Sequence, residues 1–359
     1  MKIIFDNIVF SLQRAGGISV VWKEIISRIL QSDFSCKFVE YQGAKNNIFR
    51  KTIDITDEKI ILKNSLLLFV KRYFNFRSKE KSPYVFHSSY YRYSKDKQAI
   101  NITTVHDFTY EYFYGGLQKW LHCRQKYAAI KNSDYIICVS QTTKKDLLKF
   151  LPETNSAKIH VIYNGVSDEY HAFAPNQLEQ TLKLYGNYAL FVGFRSGYKN
   201  FENAVLAVKN TDMNLVIVGN ELTKKEKIFL MKELGEERFF AFTRIPNSEL
   251  NKLYAAAYCL LYLSLYEGFG IPVLEAQKSG CPVISLNAHS VVEIVGNQQL
   301  VAKENKIEDI VEKINLLKNK DLRKQIIEAG FENAKKYTWD KMYQQVSNLY
   351  EKIIFENTK

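Results

Sequence analysis

Hydrophobic positions along this chain alternate between two spacings. Met1 to Phe10 alternates and then runs apolar, which predicts a first strand. From Ser19 the apolar positions Val20, Val21, Ile25, Ile26, Ile29 and Leu30 recur at helical spacing. The same change of period repeats further on. Tyr135-Ile136-Ile137-Cys138-Val139, Tyr188-Ala189-Leu190-Phe191-Val192, Leu215-Val216-Ile217-Val218 and Cys259-Leu260-Leu261-Tyr262-Leu263 read as buried parallel strands. Residues 201–208, 304–317 and 321–336 read as amphipathic helices between or after them. Strands alternating with helices in both halves predict two doubly wound α/β domains.

Length agrees with two domains, since 359 residues exceed what one core usually serves. Asp6 interrupts the apolar N-terminus, and no run reaches the roughly 18 apolar residues of a membrane span. Five scattered cysteines without a C-x-x-C pair point to reduced thiols and a cytoplasmic protein, not to a disulfide framework or zinc site. The net charge of +12 is uneven: residues 1–160 hold 26 Lys+Arg and 14 Asp+Glu, and the remainder balances at 24 and 24. The basic half therefore meets the anionic partner, whether membrane, nucleic acid or polyanionic substrate. Residues 61–77 mix apolar and basic positions as a helix lying on an anionic bilayer would, and 117–127 repeat that mixture. Both stretches equally fit ordinary core-facing helices with a solvated basic face.

The candidate chemistry centres on Ser264-Leu265-Tyr266-Glu267-Gly268-Phe269-Gly270-Ile271-Pro272-Val273-Leu274-Glu275-Ala276. An apolar strand, a glycine turn and a proline suited to a first helical turn place Glu267 at the mouth of a strand-end crevice. Glu275 lies about one turn into the helix, where a carboxylate can bind a diol. Gly16-Gly17, between the first strand and the helix after it, is a second backbone N–H cradle suited to phosphate. Lys199 and Arg195 follow a strand ending in Gly193, and Asn200 precedes a helix; cations there can neutralise a departing diphosphate. His87 and His106 each follow a β-rich run.

The Glu267-to-Glu275 segment resembles the E-G-F-G-x-P-x-x-E-A signature of retaining nucleotide-sugar glycosyltransferases of family GT4, and Gly280-Cys281-Pro282-Val283-Ile284 stands where that family has G-x-P-V-I. Other ordered matches are Gly16-Gly17-Ile18, Val105-His106-Asp107, the 133–140 and 161–166 segments, Lys199-Asn200 and Tyr337-Thr338-Trp339. Two positions depart from the pattern: Tyr198 replaces the arginine before Lys199, and Val292 replaces a proline before Glu293.

The resemblance implies a GT-B architecture with two Rossmann-like domains facing a cleft. It divides the chain into an acceptor-side domain (1–166), a nucleotide-sugar domain (167–340) and a terminal helix (341–359) returning to the first. It implies sugar transfer from a UDP- or GDP-linked donor to an acceptor hydroxyl, with retention. Glu275 would hold the ribose, and Glu267 the donor sugar with the amides of Gly268, Phe269 and Gly270. Arg244 and Ile245 would read the base. Lys199, Arg195, Gly193, Asn200 and the Gly16-Gly17 turn would meet the diphosphate. His106 would contact the donor sugar, with His87 and Asp107 on the acceptor side.

No Asp-x-Asp occurs, so no metal or other cofactor is expected. A lipid-linked or saccharide acceptor in bacterial O-antigen, capsule or lipopolysaccharide assembly, handled at the inner face of the cytoplasmic membrane, fits the basic half. The rivals are a non-catalytic sugar-nucleotide-binding protein, a nucleic-acid-binding protein without a recognised module, and a phosphorylase or epimerase of the same fold.

Overall fold

The computed structural model describes residues 1–78 and 80–357. They divide into two compact units, Met1–Asn164 with Trp339–Lys359, and Gly165–Thr338.

The first unit carries a parallel sheet of seven strands: β1 (Lys2–Asp6), β2 (Cys36–Tyr41), β3 (Ile60–Lys63), β4 (Tyr84–Ser88), β5 (Ala99–Val105), β6 (Tyr135–Cys138) and β7 (Ile159–Val161), in the order β3-β2-β1-β4-β5-β6-β7. Strand β1 runs between β2 and β4, with Ile3 opposite both Cys36 and Val85. It is apolar through Ile3, Ile4 and Phe5, all fully buried, because helices cover both faces of such a sheet. The strand ends at Asp6, earlier than the apolar pattern suggests. Asn7 then donates to Glu40 (2.9 Å) and accepts from the Trp22 indole (2.7 Å), and Val9–Leu12 forms one helical turn.

Residues 61–77 are not the surface helix that their mixture of basic and apolar residues suggests. They comprise the end of β3, an Asn64 turn whose side chain accepts from Leu66 N (2.6 Å), and a single helical turn, Leu68–Lys71. Leu67 stands at φ 57°, a left-handed conformation that stops a longer helix from forming. The second basic stretch does lie in a helix, Gly116–Lys131. The Trp339–Asn357 helix packs on this unit: Tyr350 lies edge-on to Phe5 and Phe34.

The second unit carries a six-stranded parallel sheet: β8 (Tyr188–Val192), β9 (Asn214–Gly219), β10 (Phe239–Thr243), β11 (Cys259–Tyr262), β12 (Val283–Leu286) and β13 (Val301–Ala302), ordered β10-β9-β8-β11-β12-β13. Its core joins Leu215, Ile217 and Leu261 to Ala204 and Val208 of the Phe201–Lys209 helix. Both sheets are thus doubly wound, as the alternating periods predict. In each the chain order reverses once, between β1 and β4 and between β8 and β11, and ligands of such folds bind outside the carboxyl ends of strands at that reversal.

Candidate active site

The second unit gathers its polar groups at the reversal between β8 and β11. After β8, Gly193 adopts φ 125° and bonds to Val218 O (2.9 Å). A Cβ on Gly219 would stand 2.4 Å from the Gly193 carbonyl, so only glycine lets these two strand ends close up. The chain then turns through a short 3₁₀ segment, Gly197–Lys199, and Asn200 at φ 58° starts the next helix. This delivers the Lys199 ammonium to the Glu267 carboxylate at 2.5 Å, across 68 positions of sequence. Tyr262, the last residue of β11, also bonds Glu267, and burial together with that carboxylate raises its phenol well above the ordinary range. The pair is mostly shielded from water, so its electrostatics are strong and it already opposes a cation to an anion.

The Gly268-Phe269-Gly270 turn is held from behind. Ser290 Oγ donates to the Glu267 carbonyl (2.6 Å) and approaches that of Phe269 (3.3 Å), while Gly270 at φ 110° begins the Ile271–Lys278 helix. Glu275 lies on that helix and accepts from the Tyr254 hydroxyl (3.0 Å) and from Tyr170. Burial pushes its carboxyl up to about 7, and the two phenols hold that rise in check. The two glutamates therefore differ in kind. Glu267 has a cation beside it, and Glu275 has only hydroxyls.

Arg195 sits apart from that pair. Its guanidinium is clamped by Glu226 (Nε at 2.7 Å, a second nitrogen at 3.3 Å) and by the Glu221 carbonyl (2.9 Å). Only Nη1 remains, buried without a hydrogen-bond partner near the Gly193–Gly219 contact. Arg244, at φ 58°, and Ile245 follow β10 at the same end of the sheet. The Asn200 amide donates to Asn305 (2.6 Å) and so fixes the helix start.

In the first unit, Gly16 and Gly17 open the Gly17–Ile29 helix. His106 follows β5, half-buried, and burial pulls its imidazole down to about 4, so the ring is neutral near pH 7. Asp107 is committed locally: it accepts from Thr109 N (2.9 Å), and its carbonyl accepts from Lys126 (3.0 Å). His87 lies inside β4, fully buried, with one ring nitrogen on Tyr350 (2.7 Å) and the other on Thr104 (2.9 Å). It anchors the Trp339–Asn357 helix to the sheet and does not present itself to an acceptor. Lys126 is likewise not a surface cation but a core one, paired with Glu111 at 2.7 Å and set over the Phe108 ring. Nothing in the local sequence marks these two roles, because Tyr350 and Glu111 are 263 and 15 positions away.

Two doubly wound α/β units, each with glycine turns at its strand-end reversal, define a two-domain class of α/β fold. Residues 15–170 match the model described as Glycosyltransferase Family 4, and residues 176–333 match Glycosyl transferases group 1. The chain belongs to this glycosyltransferase family. It is 32% identical over 243 residues to the glycosyltransferase MJ1178 of Methanocaldococcus jannaschii, covering 64% of this chain and 62% of that one. It is 25% identical over 287 residues to the O-antigen chain mannosyltransferase B of Escherichia coli, covering 75% and 74%. The crystal structure of Anabaena HepE in complex with UDP and glucose shares its fold, with a TM-score of 0.73 at 16% identity over 98% of this chain and all of that one. The GT-B architecture follows. Among the described residues no helix is long and apolar enough to cross a membrane, and no cluster of three or more His, Cys, Asp or Glu is arranged to hold a metal ion.

Proposed function

We propose that the protein transfers a hexosyl group from a UDP- or GDP-linked sugar to an acceptor hydroxyl with retained configuration, in the assembly of a bacterial surface polysaccharide. The observation that carries this reading is the Lys199–Glu267 pair beside Glu275 at the β8/β11 reversal. In the reaction the bond from the sugar's anomeric carbon to the diphosphate oxygen breaks, and the acceptor oxygen forms a bond to that carbon on the same face. The acceptor's proton passes to the departing phosphate. Lys199 stabilises the charge that grows on the diphosphate, and Glu267 holds sugar hydroxyls with the turn amides. Glu275 receives the ribose hydroxyls in its ionised form. In the second unit Asn200 and the Nη1 of Arg195 assist at the phosphates; in the first, the Gly16-Gly17 turn offers backbone N–H groups to a phosphate and neutral His106 offers its ring to a sugar hydroxyl. Likeness to an O-antigen chain mannosyltransferase supports the polysaccharide setting.

We further infer peripheral contact with the inner face of an anionic membrane. Leu66, Phe69, Phe74, Leu117 and Trp120 are exposed, and the two stretches that carry them meet where Gln125 donates to the Arg72 carbonyl (2.5 Å). The same two stretches carry Lys63, Lys71, Lys119 and Arg124, and exposed apolar side chains among cations suit such a surface.

Incubation with UDP- and GDP-hexoses and proton NMR of the product test the reaction. A retained anomeric configuration is expected. An inverted product would remove the retaining mechanism, and neither transfer nor slow donor hydrolysis with any sugar would remove the transferase reading.

A further inference from the structure

The Lys199–Glu267 pair is not held by its own two charges alone. The Tyr198 ring lies 5.3 Å from the Lys199 ammonium and the Tyr262 ring 5.8 Å from it, so two aromatic rings share the cation. Tyr198 is fixed through its backbone. Its carbonyl accepts from Leu265 N (2.7 Å), which ties the turn carrying Lys199 to the loop carrying Glu267. Tyr262 is fixed by burial at the end of β11, and its phenol bonds the Glu267 carboxylate. A Cβ built on Gly270 would stand 3.8 Å from the Tyr262 hydroxyl oxygen, so the phenol also lies against the last glycine of the turn.

Glu267 therefore has two partners of different kinds, and they respond differently to an incoming anion. Lys199 carries its ammonium on a flexible stem. A diphosphate brings more negative charge than one carboxylate, so it draws the ammonium and repels Glu267. The phenol cannot follow, because its ring is packed at the strand end. A shielded carboxylate that loses its cation still needs a donor, and Tyr262 supplies one.

We propose that the Lys199–Glu267 pair is a resting-state latch that a diphosphate opens, and that Tyr262 is the positioning residue which keeps Glu267 in place once the latch is open. The proposal rests on the transferase reading and deepens it. Glu267 gives up its cation only when a diphosphate takes it, so the latch favours a sugar joined to a diphosphate over a free sugar.

Calorimetric titration of the full-length protein with inorganic pyrophosphate, UDP and GDP tests the latch. Glu267→Gln keeps the shape of the side chain and removes its charge. Pyrophosphate, and whichever of UDP and GDP binds, should bind this variant about tenfold more tightly than the wild type. The gain should vanish when Lys199→Met is added, because the carboxylate acts through that ammonium. Unchanged or weaker binding in Glu267→Gln, or a gain that survives Lys199→Met, would overturn the latch. Tyr262→Phe keeps the ring and removes the hydroxyl. It should leave pyrophosphate affinity within a factor of about two and lower donor turnover, as transfer or hydrolysis, about tenfold. Weakened pyrophosphate binding or unchanged turnover would remove the positioning role. A pyrophosphate gain without binding of UDP or GDP would remove the transferase reading and leave the latch. Binding of UDP or GDP without the gain would remove the latch alone, and failure of all three to bind would overturn both.

Discussion

The two glycine turns that follow the reversal strands of the two units are alike in sequence logic and different in finish. In the second unit, Gly270 sits at φ 110°, Ser290 braces the turn, and Lys199 already faces Glu267. In the first, Gly16 is extended at φ 163°, a conformation open to any residue, Gly17 has free space around it, and nearby Arg14 has no acidic partner in an ion pair among the described residues. One turn is a completed site whose charges balance internally. The other is unbraced, and its one nearby cation, Arg14, is open to solvent. A preorganised turn suits a site where charge develops during reaction.

The sharpest way to break this contrast is at Lys199. Lys199→Ala should lower kcat for sugar transfer by roughly two to four orders of magnitude while the protein stays folded, the scale of a lost electrostatic stabiliser. Near-normal turnover would show that the second turn is not the completed one. Next in size is Gly270→Ala. A Cβ there meets Tyr262 and Val273 only at ordinary contact distance, 3.6 Å, so the cost is the backbone alone. Chemical denaturation should register about 1–3 kcal/mol.

A smaller effect concerns Glu275, whose carboxyl is raised by burial to about 7. Because its folded value lies above the ordinary carboxylate range, the group is protonated below pH 7 and ionised above it. If the carboxylate receives ribose hydroxyls, nucleoside diphosphate affinity should rise about tenfold between pH 6 and pH 8, and Glu275→Gln should flatten that profile. The smallest change is Gly17→Ala, which should raise stability by about 0.4–1 kcal/mol because the helical backbone accepts a side chain. A gain in stability accompanied by weaker donor binding would show that the glycine serves phosphate approach; unchanged binding would leave this turn without a donor role.

Much of the fold was legible because periodicity survives in local sequence. The apolar run Cys259 to Leu263, the glycines at 268 and 270 and Pro272 announce strand, turn and helix, and β11 (Cys259–Tyr262) and the Ile271–Lys278 helix stand there. Ser140 likewise reads as a helix cap and accepts from Thr143 N at 3.0 Å. What local sequence does not carry is sheet order. Lys199 meets Glu267 only because β8 lies beside β11 although β9 and β10 intervene in the chain. His87 becomes a buried anchor for the same reason, its partner Tyr350 lying near the other end of the sequence. Residues 61–77 misled in the opposite way: their composition suits an amphipathic helix, but the Asn64 turn and left-handed Leu67 cut it to one turn. Their exposed apolar side chains remain, and they give that surface its character whatever the backbone does.

The account turns on the second unit holding the nucleotide through Glu275. Calorimetric titration of the wild-type protein and Glu275→Ala with UDP and GDP at pH 8 tests this most directly. One of the two nucleotides should bind the wild type, and the substitution should weaken it at least tenfold with the fold intact by circular dichroism. Absence of binding by both, or equal affinity in the two proteins, would contradict the account.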